Sequence, residues 1–160
     1  MSLVDTMKQA YTTGKNKIIA AAEQMSDEGY AFQPTKEERN FGGWVAHVAD
    51  SQIGTCSALA GAAKQVNAGQ KTSKADLVAA LKESFDSFDA AFNGTTDANA
   101  NENVQTFQGP RPRVAALYGT IAHNEECYGS MAVYMRLQQL VPPSSAGRGG
   151  RGPGQGKGKQ

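Results

Sequence analysis

Three residues of types that bind metal ions, His47, His123 and Cys127, stand out in this 160-residue sequence. The chain has only two histidines, and Cys127 follows His123 by four positions. Residues four apart on a helix lie on one face, so this imidazole and this thiol can point toward the same place. If the helix that carries His47 faces them, two imidazoles and one thiolate form a donor set suited to zinc, nickel or another late divalent metal. Three protein ligands leave a fourth position for water or substrate, as in catalytic zinc sites.

The spacing alone leaves a second interpretation open, in which a partly buried histidine lies beside a small core cysteine. Asp50 comes about one helical turn after His47, and it is either an acceptor that orients the imidazole or a solvated acid. Glu125 and Glu126 flank the site, but neighbouring side chains on a helix point about 100° apart, so at most one can serve it. Cys56 lies on the helix face opposite His47, and we expect it to pack in the core.

Other catalytic signatures are missing from the sequence. It contains no GxxxxGK[ST] phosphate loop, no GxSxG nucleophile elbow and no HExxH zinc motif. A nucleophile made of Cys127 activated by His123 is disfavoured, because side chains four apart on a rigid helix seldom align for proton transfer.

Four helices are predicted to position these residues, because apolar side chains recur at three- and four-residue steps. The helices cover about residues 3–25, 41–66, 73–92 and 110–140. No alternating strand pattern competes with them, and residues 93–109 are predicted to form a long polar loop. The pattern therefore predicts an all-α protein with a four-helix bundle.

The second predicted helix contains an unusual number of glycines. They are Gly42, Gly43, Gly54 and Gly61. Glycine lowers helix propensity, so these positions indicate either close packing between helices or room kept for a site.

The formal net charge of +1 averages two unlike parts of the chain. Residues 144–160 hold four cations, seven glycines and no acid, which leaves 12 cations and 15 anions in residues 1–143. We predict one domain over residues 1–143 and a disordered Gly/Arg/Lys-rich tail over residues 144–160. The tail has no aromatic residue for base stacking, so no specific nucleic-acid binding is expected.

Composition also bears on location. No run of 18 apolar residues exists, so no membrane-spanning helix is predicted. The first residues lack a basic region followed by an apolar one, so no secretory signal is expected, although a trimmed signal would leave the same sequence. Two cysteines are too few for a disulfide framework, which favours a reducing, cytoplasmic setting.

The sequence around the first histidine reads Asn40-Phe-Gly-Gly-Trp-Val-Ala-His-Val-Ala-Asp-Ser-Gln, and around the second it reads Leu117-Tyr-Gly-Thr-Ile-Ala-His-Asn-Glu-Glu-Cys-Tyr-Gly. This pair of segments resembles the DinB/YfiT-like superfamily. The resemblance covers about residues 1–143 and implies an up-up-down-down bundle with zinc or nickel held by three histidines. His47 and His123 match the first two ligands, and Cys127 stands where the family has the third histidine. Cysteine binds zinc once it is deprotonated, but its presence is equally compatible with a site that has lost its metal.

The resemblance further implies two classes of function. In one, the metal activates a low-molecular-weight thiol or a water for S-transferase or hydrolase-type chemistry on a small molecule. An anionic ligand at Cys127 would make the metal less Lewis acidic than three imidazoles would, so weaker activation is expected. In the other, the bundle is non-catalytic and acts as a binding or dimerisation module. A homodimer is expected from the family, but the sequence does not show which face is shared.

Overall fold

A computed structural model of the chain describes residues 2–147 and contains four long helices. They are α1 (Leu3–Gln24), α2 (Phe41–Ala60), α3 (Lys74–Asn93) and α4 (Arg113–Leu137). The predicted four-helix bundle is therefore confirmed. None of the helices in this part of the chain is both long enough and apolar enough to cross a membrane.

Contacts between the helices fix their directions. Along the contact of α1 with α4, residue numbers rise in the same direction on both helices, so these two helices are parallel. The same holds for α2 with α3. Contacts of α2 with α4, and of α1 with α3, run in opposite senses. The order is thus up-down-down-up rather than the up-up-down-down order that the family resemblance implied. The contacts are Lys17–Glu125 and Gln24–Val141, where Val141 follows the end of α4; the close approach of Gly42 to Leu77 and the Gln52–Ser84 bond; Gln52–Asn124 and Thr55–Thr120; Lys8–Asn93 and Lys74–Glu23.

The connection between α2 and α3, residues 61–73, explains why these helices are parallel. Gly61 ends α2 in the left-handed conformation (φ 67°), where glycine has no Cβ to strain, so the helix ends earlier than the sequence predicted. The chain then returns along α2, and the backbone N–H groups of Ala68 and Gly69 donate to the Asp50 carboxylate at 2.8 Å each. This return brings the start of α3 to the same end of the bundle as the start of α2.

The connection between α3 and α4 contains a β-hairpin that the sequence analysis missed. Strand β1 (Asn103–Thr106) pairs antiparallel with β2 (Gly109–Pro112), and Thr106 is opposite Gly109 across a two-residue turn. Both prolines of β2 are tolerated because the sheet has two strands, so each strand has an unpaired edge. The prediction of a loop over residues 93–109 and of a helix that opens at Pro110 is therefore wrong, and α4 begins at Arg113.

A buried polar network connects three helices within a largely apolar core. Gln52 of α2 donates to the hydroxyl of Ser84 in α3, and Asn124 of α4 donates to the Gln52 carbonyl oxygen at 3.0 Å. All three side chains are buried. Buried polar groups need partners, so this network fixes α2 against α4 beside the two histidines. Cys56 is also buried in the core, as predicted.

The first residues of the predicted tail contact the bundle. A short 3-10 turn covers Pro143–Ser145, and the backbone N–H of Ser144 donates to the Tyr128 hydroxyl at 2.8 Å. Arg136 donates to the Ser145 hydroxyl at 2.9 Å. The rest of the predicted disordered tail, residues 148–160, lies outside the described residues.

Candidate metal centre

The three metal-binding residues predicted from the sequence lie together between α2 and α4. The Nε2 atoms of His47 and His123 are 3.0 Å apart, and the Cys127 sulfur lies 3.7 Å from His123 Nε2. One donor atom from each residue can be chosen so that all three lie within 4.8 Å of one another. Within residues 2–147, no other group of three or more His, Cys, Asp or Glu residues is arranged in this way. The helices thus bring the predicted ligands to one point.

Local sequence explains how the two helices present these side chains. The Asn40 side chain accepts a hydrogen bond from the Gly43 N–H at 2.7 Å, which caps the start of α2. Phe41, Val45 and Val48 are fully buried and fix the rotation of α2, which leaves His47 half-buried at the edge of the packed face. On α4 the i, i+4 spacing of His123 and Cys127 places both on the face toward α2.

The donor set fits a tetrahedral zinc-type ion. Typical zinc–nitrogen and zinc–sulfur distances place two tetrahedral ligand atoms about 3.3–3.6 Å apart. Two of the three separations lie on either side of that range, 3.0 Å between the nitrogens and 3.7 Å between the sulfur and His123 Nε2, and the third lies within 4.8 Å. Two imidazoles and one thiolate suit zinc or nickel better than magnesium or calcium, which prefer oxygen ligands.

The surroundings of the site favour neutral forms of the free ligands. Burial lowers the pKa of His47, and the Arg39 and His123 charges lower it further, while Asp50 opposes them. Burial raises the pKa of the Cys127 thiol to about 11, and Glu126 adds to this rise while Arg39 opposes it. In the metal-free protein the imidazole of His47 is therefore ready to bind, whereas the thiol must first lose its proton.

The structure gives Asp50 a different partner from the one predicted. Its two carboxylate oxygens accept the backbone N–H groups of Ala68 and Gly69, so it anchors the connection that follows α2. The hydroxyl of Ser51 lies 3.4 Å from His47 Nδ1, within hydrogen-bonding distance of the nitrogen that faces away from the other ligands. Ser51 is thus the side chain that can orient His47, while Asp50 acts on it through charge.

The two glutamates that flank His123 and Cys127 do not join the cluster. Glu125 forms an ion pair with Lys17 of α1 at 2.6 Å. Glu126 is exposed on the outer side of α4. The sequence allowed at most one of them to serve the site, and in the structure neither does, because both side chains lie on other faces of α4.

A groove of about 570 Å³ opens onto both imidazoles. Its floor comes from α2 and α4, and one wall comes from the β-hairpin, which contributes Thr106, Phe107, Gln108 and Arg111. A larger cavity of about 700 Å³ on the other side of His47 does not reach His123 or Cys127. The groove is therefore the space in which a small molecule can meet the two imidazoles.

Aromatic and cationic side chains border the cluster on its other side. The Trp44 ring lies edge-on to the His47 ring, with centroids 6.1 Å apart. The Arg39 guanidinium lies over the Trp44 ring at 5.0 Å, a cation–π arrangement. Tyr134 donates to the Arg39 carbonyl oxygen at 2.7 Å, which ties this segment to α4. These contacts pack against one edge of His47, whose remaining surface faces the groove and the cavity of about 700 Å³.

The family model that matches this chain and the solved structures that resemble it belong to the same family. The profile of the DinB superfamily matches residues 10–127. A comparison with curated proteins found no match. Among solved structures, a DinB-like protein from Bacillus cereus is similar with a TM-score of 0.76 and 18% identity, over 87% of this chain and 95% of that one. A DinB-like protein from Bacillus subtilis has a TM-score of 0.69 and 19% identity, over 85% of this chain and 93% of that one. These structures share the fold.

Proposed function

Since the chain belongs to the DinB superfamily, we propose that His47, His123 and Cys127 hold one divalent metal ion, zinc or nickel. The observation that carries this proposal is the convergence of two imidazole nitrogens and one sulfur at 3.0 and 3.7 Å. The donors come from two helices that a buried polar network holds together, so the site is preformed. Cys127 takes the place of the family's third histidine as an anionic ligand.

We further propose that the protein transfers a low-molecular-weight thiol to a small electrophile. When bound, the metal would lower the pKa of a thiol or water at its fourth position and so supply a nucleophile near neutral pH. The chain's own residues hold the reactants: the groove beside His47 and His123 accepts the small molecule, and the hairpin limits access of water. Ser51 holds the His47 ring in place through Nδ1.

Elemental analysis of purified protein tests the metal site, and the chain offers a matched control. Cys127→Ala should remove most of the metal, whereas Cys56→Ala changes the other buried cysteine and should leave about one metal per chain, as in wild type. Equal metal in wild type and Cys127→Ala would contradict the ligand set. A wild type that never takes up zinc or nickel would contradict the metal site itself.

Catalysis is tested separately, with N-acetylcysteine as the thiol and monochlorobimane as the electrophile. The transfer forms a carbon–sulfur bond and breaks a carbon–chlorine bond; chloride leaves and the thiol proton goes to solvent. Metal-loaded wild type should exceed the background rate, and His123→Ala should return to it. Cys127→His should be faster than wild type, because a neutral ligand leaves the metal more Lewis acidic. A metal-loaded protein that never exceeds background with any small thiol would identify a non-catalytic binding module instead.

A further inference from the structure

Two glycines on the floor of the groove are not explained by helix packing. Gly54 lies in α2 and Gly119 lies in α4, and both line the groove beside the histidines. A Cβ built at either position would meet no heavy atom within 4 Å. Since glycine weakens a helix and no atom occupies the space that either side chain would fill, the missing side chains leave open space. Of the two explanations for Gly54 that its sequence position allowed, the structure supports room for a ligand.

The wall opposite this floor carries an aromatic ring and an uncompensated cation. Phe107, at the tip of the hairpin, is 94% exposed. Arg111 of β2 lines the same groove, and within residues 2–147 no carboxylate lies within ion-pair distance of it. A large exposed aromatic at a groove and a free guanidinium beside it are typical of a binding surface.

We propose that this groove binds a small organic carboxylate with a flat apolar part. The flat part would lie over Gly54 and Gly119 and against Phe107, and its carboxylate would pair with Arg111. The volume of about 570 Å³ suits a molecule of this kind. This carboxylate is the substrate class of the proposed function, and its reaction rests on that function. Its binding needs only the groove and the hairpin.

Nuclear magnetic resonance titration of the purified full chain with benzoate and with benzamide tests this inference. The two probes share a flat ring and differ in charge. Benzoate should bind about tenfold more tightly than benzamide, since a charge-assisted hydrogen bond contributes about that factor. Arg111→Gln should weaken benzoate about tenfold and leave benzamide unchanged. Arg136→Gln, which removes an arginine of α4 outside the groove, should change neither.

A second pair of variants tests the floor of the groove. Gly119→Leu should abolish binding of both probes by filling the space. Gly129→Leu is the matched control, because Gly129 is also an exposed α4 glycine with open space around it but does not line the groove. Equal affinity for the two probes, or unchanged benzoate binding in Arg111→Gln or Gly119→Leu, would overturn the proposal.

The same titration in Cys127→Ala separates this inference from the metal proposal. Benzoate binding that persists in Cys127→Ala, after its metal is lost, supports the groove independently of the metal. Benzoate binding that disappears in Cys127→Ala and persists in Arg111→Gln would show that the metal alone captures the carboxylate, which would overturn the groove proposal while supporting the metal site.

Discussion

His47 and His123 present their Nε2 atoms to each other at 3.0 Å across the contact of α2 with α4. Without a metal, this hydrogen bond needs one nitrogen that carries a proton and one that accepts it. A second proton at this contact would remove the acceptor and bring two N–H groups face to face at this distance. The same geometry that suits a metal therefore makes the metal-free site intolerant of acid.

The metal-free protein should lose stability as the pH falls below about 6.5. The folded-state pKa of His47 is lowered by burial, by Arg39 and by His123, so the unfolded chain binds the proton more readily than the folded chain. The stabilisation is present above the unfolded pKa and is lost as the pH falls. Urea unfolding with a chelator present, at about pH 7.5 and 5.5, measures it. His47→Gln should flatten this dependence, and an unchanged slope in that variant would contradict the assignment.

Metal affinity should rise with pH. The pKa of the Cys127 thiol is raised to about 11 in the free site, so near neutral pH the metal must displace a proton to gain its sulfur ligand. Apparent affinity should then increase by about tenfold per pH unit between about pH 6.5 and 8.5. Competition with a chelator across that range measures it. Cys127→His should show a weaker dependence above about pH 7, because a neutral imidazole has little proton left to lose there.

Alkaline pH should destabilise the fold through Cys56. Burial raises the pKa of this core thiol to about 12, well above its value in an unfolded chain. The contribution is fully present below the unfolded pKa and is lost as the pH rises toward the folded one. The free energy of unfolding should fall by roughly 2 kcal/mol through this thiol between about pH 8 and 10.5. Cys56→Ala should reduce this drop relative to wild type, and an equal drop in both proteins would rule out Cys56 as its source.

Alanine substitution of two exposed glycines in α4 tests whether either glycine is needed for packing. Gly119→Ala and Gly129→Ala should each stabilise the protein by about 0.5–1 kcal/mol, because alanine is the better helix former and neither Cβ meets a neighbour. Thermal unfolding measures the gain. If Gly119→Ala destabilises the protein while Gly129→Ala stabilises it, the space at Gly119 serves packing rather than a ligand.

The helices and the clustering of His123 with Cys127 could be predicted because their signals are local. The first helix, for example, shows its apolar face in the sequence, and the capping residues Asn40 and Ser73 mark the starts of α2 and α3 within one residue. The pairing of His123 with Cys127 follows from four-residue spacing on one helix. Ser51 comes four residues after His47, so the same spacing is the sequence signal for its contact with that imidazole.

The features that the sequence did not predict depend on contacts between distant residues. Asp50 finds its partners 18 and 19 residues later, in a connection whose return along α2 no local pattern encodes. The hairpin has two prolines and little alternation, and its pairing is extended by a hydrogen bond from the Arg113 N–H to the Glu102 carbonyl oxygen. The hairpin forms one wall of the groove. This wall is therefore the part of the site that could not be predicted from the sequence.

Trp44 is the chain's only tryptophan, and its ring is 6.1 Å from that of His47. The tryptophan emission of the folded protein therefore comes entirely from the border of the ligand cluster. Nickel, cobalt or copper bound at the three donors would quench this emission through their partly filled d shells, whereas zinc, with a filled shell, would leave it bright. The intrinsic fluorescence of Trp44 would thus distinguish a zinc-loaded chain from a nickel-loaded one without any label.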